Sequence, residues 1–256
     1  MSLDNLAVVI AVKNGALTIE ACVDSIKLLL AQGAKLYVYD SVSTDITKMI
    51  ILAHCKDVRY ICEQDGGLYY AWNRAIADVE EKYVFFINCD DVLYSTENFI
   101  RIFEDLHHHN VAVASSGQTI MVREDGVVRK AGSQINRDWF VGNMPILTPA
   151  TIFRVEALKN IGGFDTSYKI SSDYDMVLRL LARYGSKSFL YSPLIILRFS
   201  LGGMSNNFRK NAFAEIEIIV RRNLGEIKLL AHRFVCIKIS IKRALLKFYF
   251  QARSMK

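Results

Sequence analysis

Residues 82–91 read KYVFFINCDD, an apolar run that ends in two adjacent carboxylates, Asp90 and Asp91. A short, continuous apolar run is typical of a strand that is buried on both faces, as in a parallel sheet covered by helices. Charged side chains are costly to bury, so a pair of them at the end of such a strand requires a reason. The segments around this strand decide whether it belongs to a parallel sheet.

The segments before this strand alternate between strand and helix patterns. Short apolar runs predict three further strands, at residues 6–12, 35–40 and 58–62. Apolar residues recur at helical spacing between them, over residues 18–33, 43–55 and 68–79. We therefore predict an α/β fold with a mostly parallel sheet, helices on both faces, and ligands bound at the carboxyl ends of the strands.

The later part of the chain is less regular. The patterns predict helices at 95–109, near 156–164 and from Ser172 to Tyr184, a strand at 111–117, a hairpin at 118–132 and an apolar segment at 188–199. Internal repeats and low-complexity linkers are absent from the sequence. One domain over residues 1–206, followed by a C-terminal helical extension over residues 207–256, is the economical interpretation.

Composition excludes several classes of protein. The chain has 256 residues, 52% of them hydrophobic, and its five cysteines form no CxxC pair, which favours reduced thiols over a disulfide scaffold or a zinc ribbon. No apolar run approaches the roughly 20 residues that span a bilayer, and no signal peptide is evident. We expect a cytoplasmic protein.

The net charge of +6 is concentrated at the C-terminus. Residues 225–256 carry +7, so the preceding 224 residues sum to about −1. A globally basic nucleic-acid-binding protein is therefore a poor interpretation. The sequence also lacks GxGxxG after the first strand and a GxxxxGK[ST] loop, which removes the main support for a dinucleotide oxidoreductase or a P-loop enzyme.

Carboxylates follow three of the predicted strands. Asp40 ends the second strand, Asp65 follows the third, and Asp90 and Asp91 end the fourth. Clustered carboxylates repel one another unless a cation lies among them, and Mg²⁺ and Mn²⁺ prefer oxygen ligands. The alternative is that Asp90 merely caps the following helix or turns the chain, but the acids at the other strand ends favour a divalent metal site.

Several motifs, taken together and in order, resemble a known family. VVIAVKNG, YDSVSTDIT, EQDGGLYYAWNRAI, FFINCDD and GGFDTSYKISSDYDMVLRL, spread over about residues 6–205, look like the inverting family-2 glycosyltransferases of GT-A fold, particularly bacterial members that build surface polysaccharides. The resemblance implies a Rossmann-like GT-A domain. It also implies transfer of a hexose or N-acetylhexosamine from a nucleotide-diphosphate donor, expected to be UDP, to a glycan or lipid-linked acceptor with inversion at the anomeric carbon.

The resemblance implies roles for residues that bind the nucleotide. Asp40 and Ser43 would hold the base or ribose, although Ser43 or Thr44 could instead cap the next helix. Asp65 and Arg74 would lie over the nucleotide, with Arg74 binding phosphate or base.

The resemblance also implies a metal site and a catalytic base. Asp90 and Asp91 would bind a divalent cation, Mn²⁺ or Mg²⁺, and the ribose, with the division between them left open. Asp173 would be the base that deprotonates the acceptor hydroxyl, unless it is merely an acid placed favourably at a helix N-terminus. Asp175 lies about 200° around the same helix and cannot face the same site.

The C-terminal extension carries an apolar stripe with basic residues opposite it, at Ile227, Leu230, Phe234, Ile237, Ile241, Leu245 and Phe248. Such a helix can bind an anionic membrane surface, which would place the enzyme peripherally on the inner face of the plasma membrane. Packing on the catalytic domain, or on a second subunit of a homo-oligomer, is the alternative.

Two competing functions remain open at this point. One is a sugar nucleotidyltransferase, although AVKNGAL is a weak match to the glycine-rich nucleotide loop that such an enzyme needs after its first strand. The other is a catalytically silent subunit that binds nucleotide sugars. Retained UDP binding without turnover, unaffected by Asp173→Asn, would favour the silent subunit.

Overall fold

The computed structural model describes residues 2–122, 128–135, 144–200 and 211–226. Its first half is a run of strand–helix units whose four strands are parallel in the order β3-β2-β1-β4. The strands are β1 (Leu6–Val12), β2 (Lys35–Asp40), β3 (Val58–Cys62) and β4 (Tyr83–Asn88). The helices between them are α1 (Ile19–Ala31), α2 (Thr47–His54) and α3 (Leu68–Asp78).

The second half extends the same sheet in the order β4-β8-β6-β9-β5, with β7 paired to β6. β8 is antiparallel to both of its neighbours, β6 and β9 are parallel, and β5 and β7 are antiparallel to their partners. The strands are β5 (Val92–Leu93), β6 (Ala114–Val122), β7 (Val128–Ala131), β8 (Thr151–Arg154) and β9 (Phe189–Phe199). The helices are α4 (Thr96–His108), α5 (Val155–Asn160), α6 (Ser172–Tyr184) and α7 (residues 211–226).

The predicted α/β architecture is confirmed, with three differences in detail. The helix expected from residue 43 begins only at Thr47, because Asp45 accepts a hydrogen bond from the backbone N–H of Thr47 and residues 41–46 form a loop. The separate strand and hairpin arm expected at 111–122 are one strand, β6, and the hairpin partner is β7. The apolar segment at 188–199, for which neither helix nor strand was predicted, forms β9.

Helices cover both faces of the sheet, as the alternation of side chains along β4 shows. Tyr83, Phe85 and Ile87 belong to the core under α1 and α4, whereas Val84 and Phe86 belong to the core under α3, α5 and α6. This two-residue period is expected for a central strand. All five side chains are fully buried, which explains why the sequence around them is continuously apolar.

Helix α7 packs on the same domain. Ile219 and Val220 are fully buried and join the core that contains α3 and α6. For residues 211–226, packing on the catalytic domain is therefore observed. The apolar stripe of residues 227–248 lies outside the described residues, and its binding partner stays a prediction. None of the helices in the described ranges has both the length and the apolar character needed to cross a bilayer.

Candidate active site

Three residues predicted to bind the nucleotide line one cleft. This cleft has a volume of about 500 Å³ and lies beside the carboxyl ends of β2 and β3, along helix α3. Asp40, Asp65 and Arg74 all contribute to its wall, together with the aromatic ring of Tyr70. The βα topology accounts for their convergence, since ligand sites of α/β sheets form where the strands end.

Asp40 is held in a fixed orientation at the end of β2. Its side chain is only 2% exposed and accepts hydrogen bonds from the backbone N–H of Ser43, at 2.7 Å, and from the hydroxyl of Tyr60. Burial and the adjacent carboxylate raise the pKa of Tyr60 well above its usual range, so Tyr60 stays a donor. Because a carboxylate offers about four lone-pair positions, Asp40 can still accept a donor from a ligand.

Ser43 ties two loops together. Its hydroxyl accepts from the backbone N–H of Asn14 at 2.8 Å, and the backbone N–H of Thr44 donates to the Asn14 side chain at 2.8 Å. Helix α2 begins several residues later, at Thr47, so the alternative that Ser43 or Thr44 caps this helix is wrong. The backbone of Ser43 supports Asp40, and its side chain anchors the β1–α1 loop.

The loop before α3 brings Tyr70 over the cleft. A Cβ atom at Gly66 would lie 2.5 Å from the ring of Tyr70, so only glycine permits this approach. Asp65 accepts a hydrogen bond from the backbone N–H of Gly67 at 2.9 Å, which shapes the turn. Arg74 is exposed, and its Nε donates to Asp78 at 2.9 Å. The cleft therefore presents an aromatic face, carboxylates and a guanidinium.

Asp91 is deeply buried directly after β4. It is 1% exposed and accepts from the side-chain amide of Asn88 at 2.8 Å and from the backbone N–H of Ser200 at 2.9 Å. Asn88, the last residue of β4, thus supports Asp91. Burial raises the pKa of Asp91 to about 7, and the charge of Asp90 adds to this. Burial also raises the pKa of Asp90.

These two carboxylates fit a hard divalent cation. Within the described ranges, neither Asp90 nor Asp91 forms an ion pair with a basic side chain. Adjacent, desolvated carboxylates without a counter-charge are costly, and a cation bound by their oxygens would remove that cost.

A second group with metal-ligand spacing lies on α1 and α2, where Glu20, Asp24 and His54 cluster. Its Asp24 carboxylate is already paired with the ammonium of Lys27 at 2.6 Å, so we assign it no metal.

The strand register places the cleft and the carboxylate pair at neighbouring positions. On the two sides of β1, Val12 pairs with Asp40 and Ala11 pairs with Asn88. With strands spaced roughly 4.8 Å apart, the backbones of Asp40 and Asn88 are separated by about 10 Å. One extended ligand can therefore contact Asp40 at one end and the Asp90–Asp91 pair at the other.

Asp173 lies at the start of α6 and faces Tyr69 of α3. Its carboxylate accepts from the backbone N–H of Tyr174 at 2.8 Å and from the hydroxyl of Tyr69 at 3.4 Å. Burial raises the pKa of Asp173 to about 6, against the effect of these hydrogen bonds. An acid stabilised mainly by a helix N-terminus would have a lowered pKa, so desolvation dominates here. A carboxylate with this pKa is suited to general base catalysis near neutral pH.

Asp175 has a different role from Asp173. It is 1% exposed, pairs with Arg179 at 2.6 Å and accepts from the side-chain amide of Asn223 at 3.0 Å. Arg179 also donates to the carbonyl oxygens of Ile161 and Gly163, at 2.6 and 2.7 Å. Asp175 thus ties α6 to α7 and, through Arg179, to the turn at residues 161–163. Its side chain is directed away from the site of Asp173.

Sequence reasoning missed two residues that orient the site. Tyr60 donates to Asp40 from β3, and Ser200 donates its backbone N–H to Asp91 from the end of β9. The position of Tyr60 in the strand next to β2 could have indicated the first contact. The contact of Ser200 with Asp91 could not be predicted from the sequence, because the two residues are 109 positions apart and are brought together only by the pairing of distant strands.

Known proteins resemble this chain in sequence. The family model described as glycosyl transferase family 2 matches residues 7–162. A PGL/p-HBAD biosynthesis glycosyltransferase of Mycobacterium bovis BCG is 24% identical over 217 residues, covering 83% of this chain and 84% of that protein.

Solved structures share the fold at low sequence identity. The mannosyltransferase PcManGT of Pyrobaculum calidifontis, solved with GDP-Man and Mn²⁺, has a TM-score of 0.68 at 13% identity and covers 98% of this chain and 81% of its own. Residues 1–349 of S. aureus TarS, solved with UDP, have a TM-score of 0.59 at 18% identity, covering 88% of this chain and 67% of that one. This chain spans 41% of the longer TarS structure.

Proposed function

The chain belongs to glycosyl transferase family 2 and is a glycosyltransferase, and from this premise we propose that it is a metal-dependent, inverting enzyme with a UDP-linked donor. The sugar transferred would be a hexose or N-acetylhexosamine, and the acceptor a hydroxyl group of a glycan or of a lipid-linked sugar. The observation that carries the proposal is the position of Asp40, buried in a cleft two strands from the Asp90–Asp91 pair.

The cleft would hold the nucleoside. Asp40 can accept a hydrogen bond from the imino N–H of uracil, while Tyr60 and Ser43 keep its carboxylate oriented. The exposed ring of Tyr70 can stack on the base, and Arg74 can reach a phosphate oxygen. The UDP complex of TarS supports a uridine nucleotide, whereas the GDP-Man complex of PcManGT makes GDP the alternative to test.

The Asp90–Asp91 pair would hold the metal. The Mn²⁺ in the PcManGT complex supports a divalent cation in this fold, and the buried carboxylate pair supports the same conclusion independently. When bound, the cation would neutralise the diphosphate as it leaves. Asn88 and Ser200 hold the Asp91 carboxylate in one orientation through their hydrogen bonds.

Asp173 would act on the acceptor side. Its carboxylate takes the proton of the acceptor hydroxyl as the acceptor oxygen forms a bond to the anomeric carbon. The bond from that carbon to the diphosphate oxygen breaks, and its electron pair leaves with the diphosphate. A single displacement of this kind inverts the anomeric centre. Tyr69 orients the base through its hydroxyl group.

The other two functions considered from the sequence lose support. Membership of a glycosyltransferase family is not expected of a sugar nucleotidyltransferase, which forms nucleotide sugars instead of consuming them. A silent binding subunit would not need a desolvated carboxylate at Asp173. Loss of transfer with retained UDP binding in Asp173→Asn would establish catalysis by this residue.

Calorimetric titration of UDP and GDP, with and without Mn²⁺, tests the nucleotide and metal sites together. We expect UDP to bind in a metal-dependent way, with the metal dependence lost in Asp91→Asn. Asp57→Asn, at an exposed loop carboxylate between α2 and β3, is the matched control and should bind like the wild type. Preference for GDP would overturn the proposed donor, and metal-independent binding in the wild type would overturn the metal site.

Peripheral membrane contact is proposed for residues 227–256 on their sequence pattern, a basic and amphipathic stretch. Sedimentation of the full chain with vesicles containing anionic lipid should exceed sedimentation with neutral vesicles. Equal sedimentation with both kinds of vesicle would remove the electrostatic part of the proposal.

A further inference from the structure

One carboxylate on α7 receives three consecutive backbone N–H groups. Glu215 accepts from Lys169 at 2.8 Å, from Ile170 at 3.0 Å and from Ser171 at 2.8 Å. The Ser171 hydroxyl adds a bond to the carbonyl of Ala212, at 3.3 Å. The segment 169–171 is therefore fastened to α7, a helix more than 40 residues further along the chain.

This segment leads directly into the proposed base. Helix α6 begins at Ser172, and Asp173 follows within its first turn. The Ser171 side chain bonds to α7 instead of capping α6. Glu215 accepts the backbone N–H of Ser171, one of the donors at the start of the helix that have no partner within it. Anything that loosens residues 169–171 would also loosen the position of the Asp173 backbone.

The same segment is held from its other side by the residue that contacts the base. The Tyr69 hydroxyl donates to the carbonyl of Ile170 at 2.6 Å and lies 3.4 Å from the Asp173 carboxylate. Ile170 is thus bonded through its N–H to α7 and through its C=O to α3. Two helices fix one short turn, and the carboxylate of Asp173 is oriented by that turn.

We propose that Glu215 is a positioning residue, which aligns Asp173 for proton transfer by holding residues 169–171. This inference rests on the proposed function, in which Asp173 is the base. It makes α7 a component of the catalytic centre, although α7 follows the last strand of the domain and falls in the extension expected from the sequence.

The electrostatics agree with the geometry. Among the described residues, the titratable groups that face Asp173 are Tyr69 from α3 and Glu215 from α7. Burial is the largest cause of the raised pKa of Asp173, and the charge of Glu215 raises it further. Neutralising Glu215 should therefore lower the pKa of Asp173 and make it a weaker base.

Two full-length variants separate the two effects of Glu215. Glu215→Gln keeps the size of the side chain but removes the charge and one strong acceptor. Glu215→Asp keeps the charge but shortens the side chain by one methylene, so that it no longer reaches the three N–H groups. Glu226→Gln, an exposed residue on the same helix, is the matched control and should behave as wild type.

The expected results differ for each readout. Glu215→Gln should lower kcat by roughly ten- to a hundredfold, with KM for the donor within about twofold, because misplacement of a base affects chemistry and not donor binding. The acidic limb of its kcat profile should also move to lower pH. Glu215→Asp should also lower kcat, but the acidic limb of its pH profile should stay close to that of the wild type, because the charge is retained. Amide exchange at residues 169–171 should accelerate in both.

A wild-type kcat and pH profile in Glu215→Gln would overturn the inference. So would a lowered melting temperature without any movement of the acidic limb, since that result would indicate a purely structural role. If the wild type transfers no sugar, the proposed function fails, and NMR titration of the Asp173 carboxyl still decides the present inference. An Asp173 pKa and amide exchange unchanged by Glu215→Gln would then overturn it.

Discussion

Asp173→Asn should abolish transfer and yet stabilise the protein above neutral pH. The pKa of Asp173 is about 6 in the folded chain, against 3.8 for an ordinary aspartate. A raised aspartate pKa means that the folded state disfavours the charged form. The ionised Asp173 therefore lowers the free energy of unfolding, fully above pH 6 and progressively less as the pH falls toward 3.8. About two pKa units correspond to at most about 3 kcal/mol, and because the side chain is partly exposed we expect a value between about 1 kcal/mol and that maximum.

Asparagine can retain the hydrogen bonds of Asp173, because its side-chain oxygen can accept from Tyr174 and Tyr69. At pH 8 we expect the melting temperature of Asp173→Asn to rise by about 2–10 °C, and the gain to fall by about half near pH 5. Thermal denaturation followed by circular dichroism at both pH values would measure it. Asp175→Asn is the control and should lower the melting temperature at both pH values, because it breaks the buried ion pair with Arg179. A loss of stability at pH 8 in Asp173→Asn would refute the argument.

Three further predictions concern other parts of the site. Gly163→Ala should lower the free energy of unfolding by about 2–4 kcal/mol in urea titration, because its Cβ would lie 2.3 Å from the Asn73 side chain at a φ of +69°. Gly162→Ala, with φ +77° and open space around it, should cost clearly less, and equal costs would exclude a clash. Tyr60→Phe should weaken calorimetric UDP binding about three- to thirtyfold by releasing Asp40, and unchanged affinity would exclude that role. In wild type, kcat should fall about tenfold per pH unit below pH 6, and a flat profile to pH 5 would contradict an Asp173 base.

The first half of the fold could be predicted closely because its rules are local. β2 has the bounds expected from its apolar run, since a strand covered by helices on both faces is continuously apolar, and the partly exposed edge strand β3 also has its expected bounds. The convergence of Asp40 and Asp65 followed from topology, because consecutive strand ends meet at one edge of the sheet, whereas Arg74 was placed beside them by the family resemblance. The metal-site prediction used the same rule.

The second half could not be predicted as well because its order depends on pairings between distant segments. β8 is antiparallel to β6 whereas β9 is parallel to it, and the register of these pairs is set by contacts between residues that are tens of positions apart. Periodicity in a single segment carries no information about such partners. The same limit hid Tyr60 and Ser200, whose importance depends on the carboxylates that they contact.

The two sides of the site therefore differ in how the sequence encodes them. The proposed nucleotide side is built from consecutive βα units, so changes there should act locally on donor binding. The proposed acceptor side joins α3, α6 and α7 through Tyr69, Asp173 and Glu215, which lie up to 146 positions apart. The domain boundary expected at residue 206 separates Glu215 from the turn that it holds. Because Asp173, the proposed base, directly follows that turn, our proposal makes the first part of the extension a component of the same catalytic unit as the sheet.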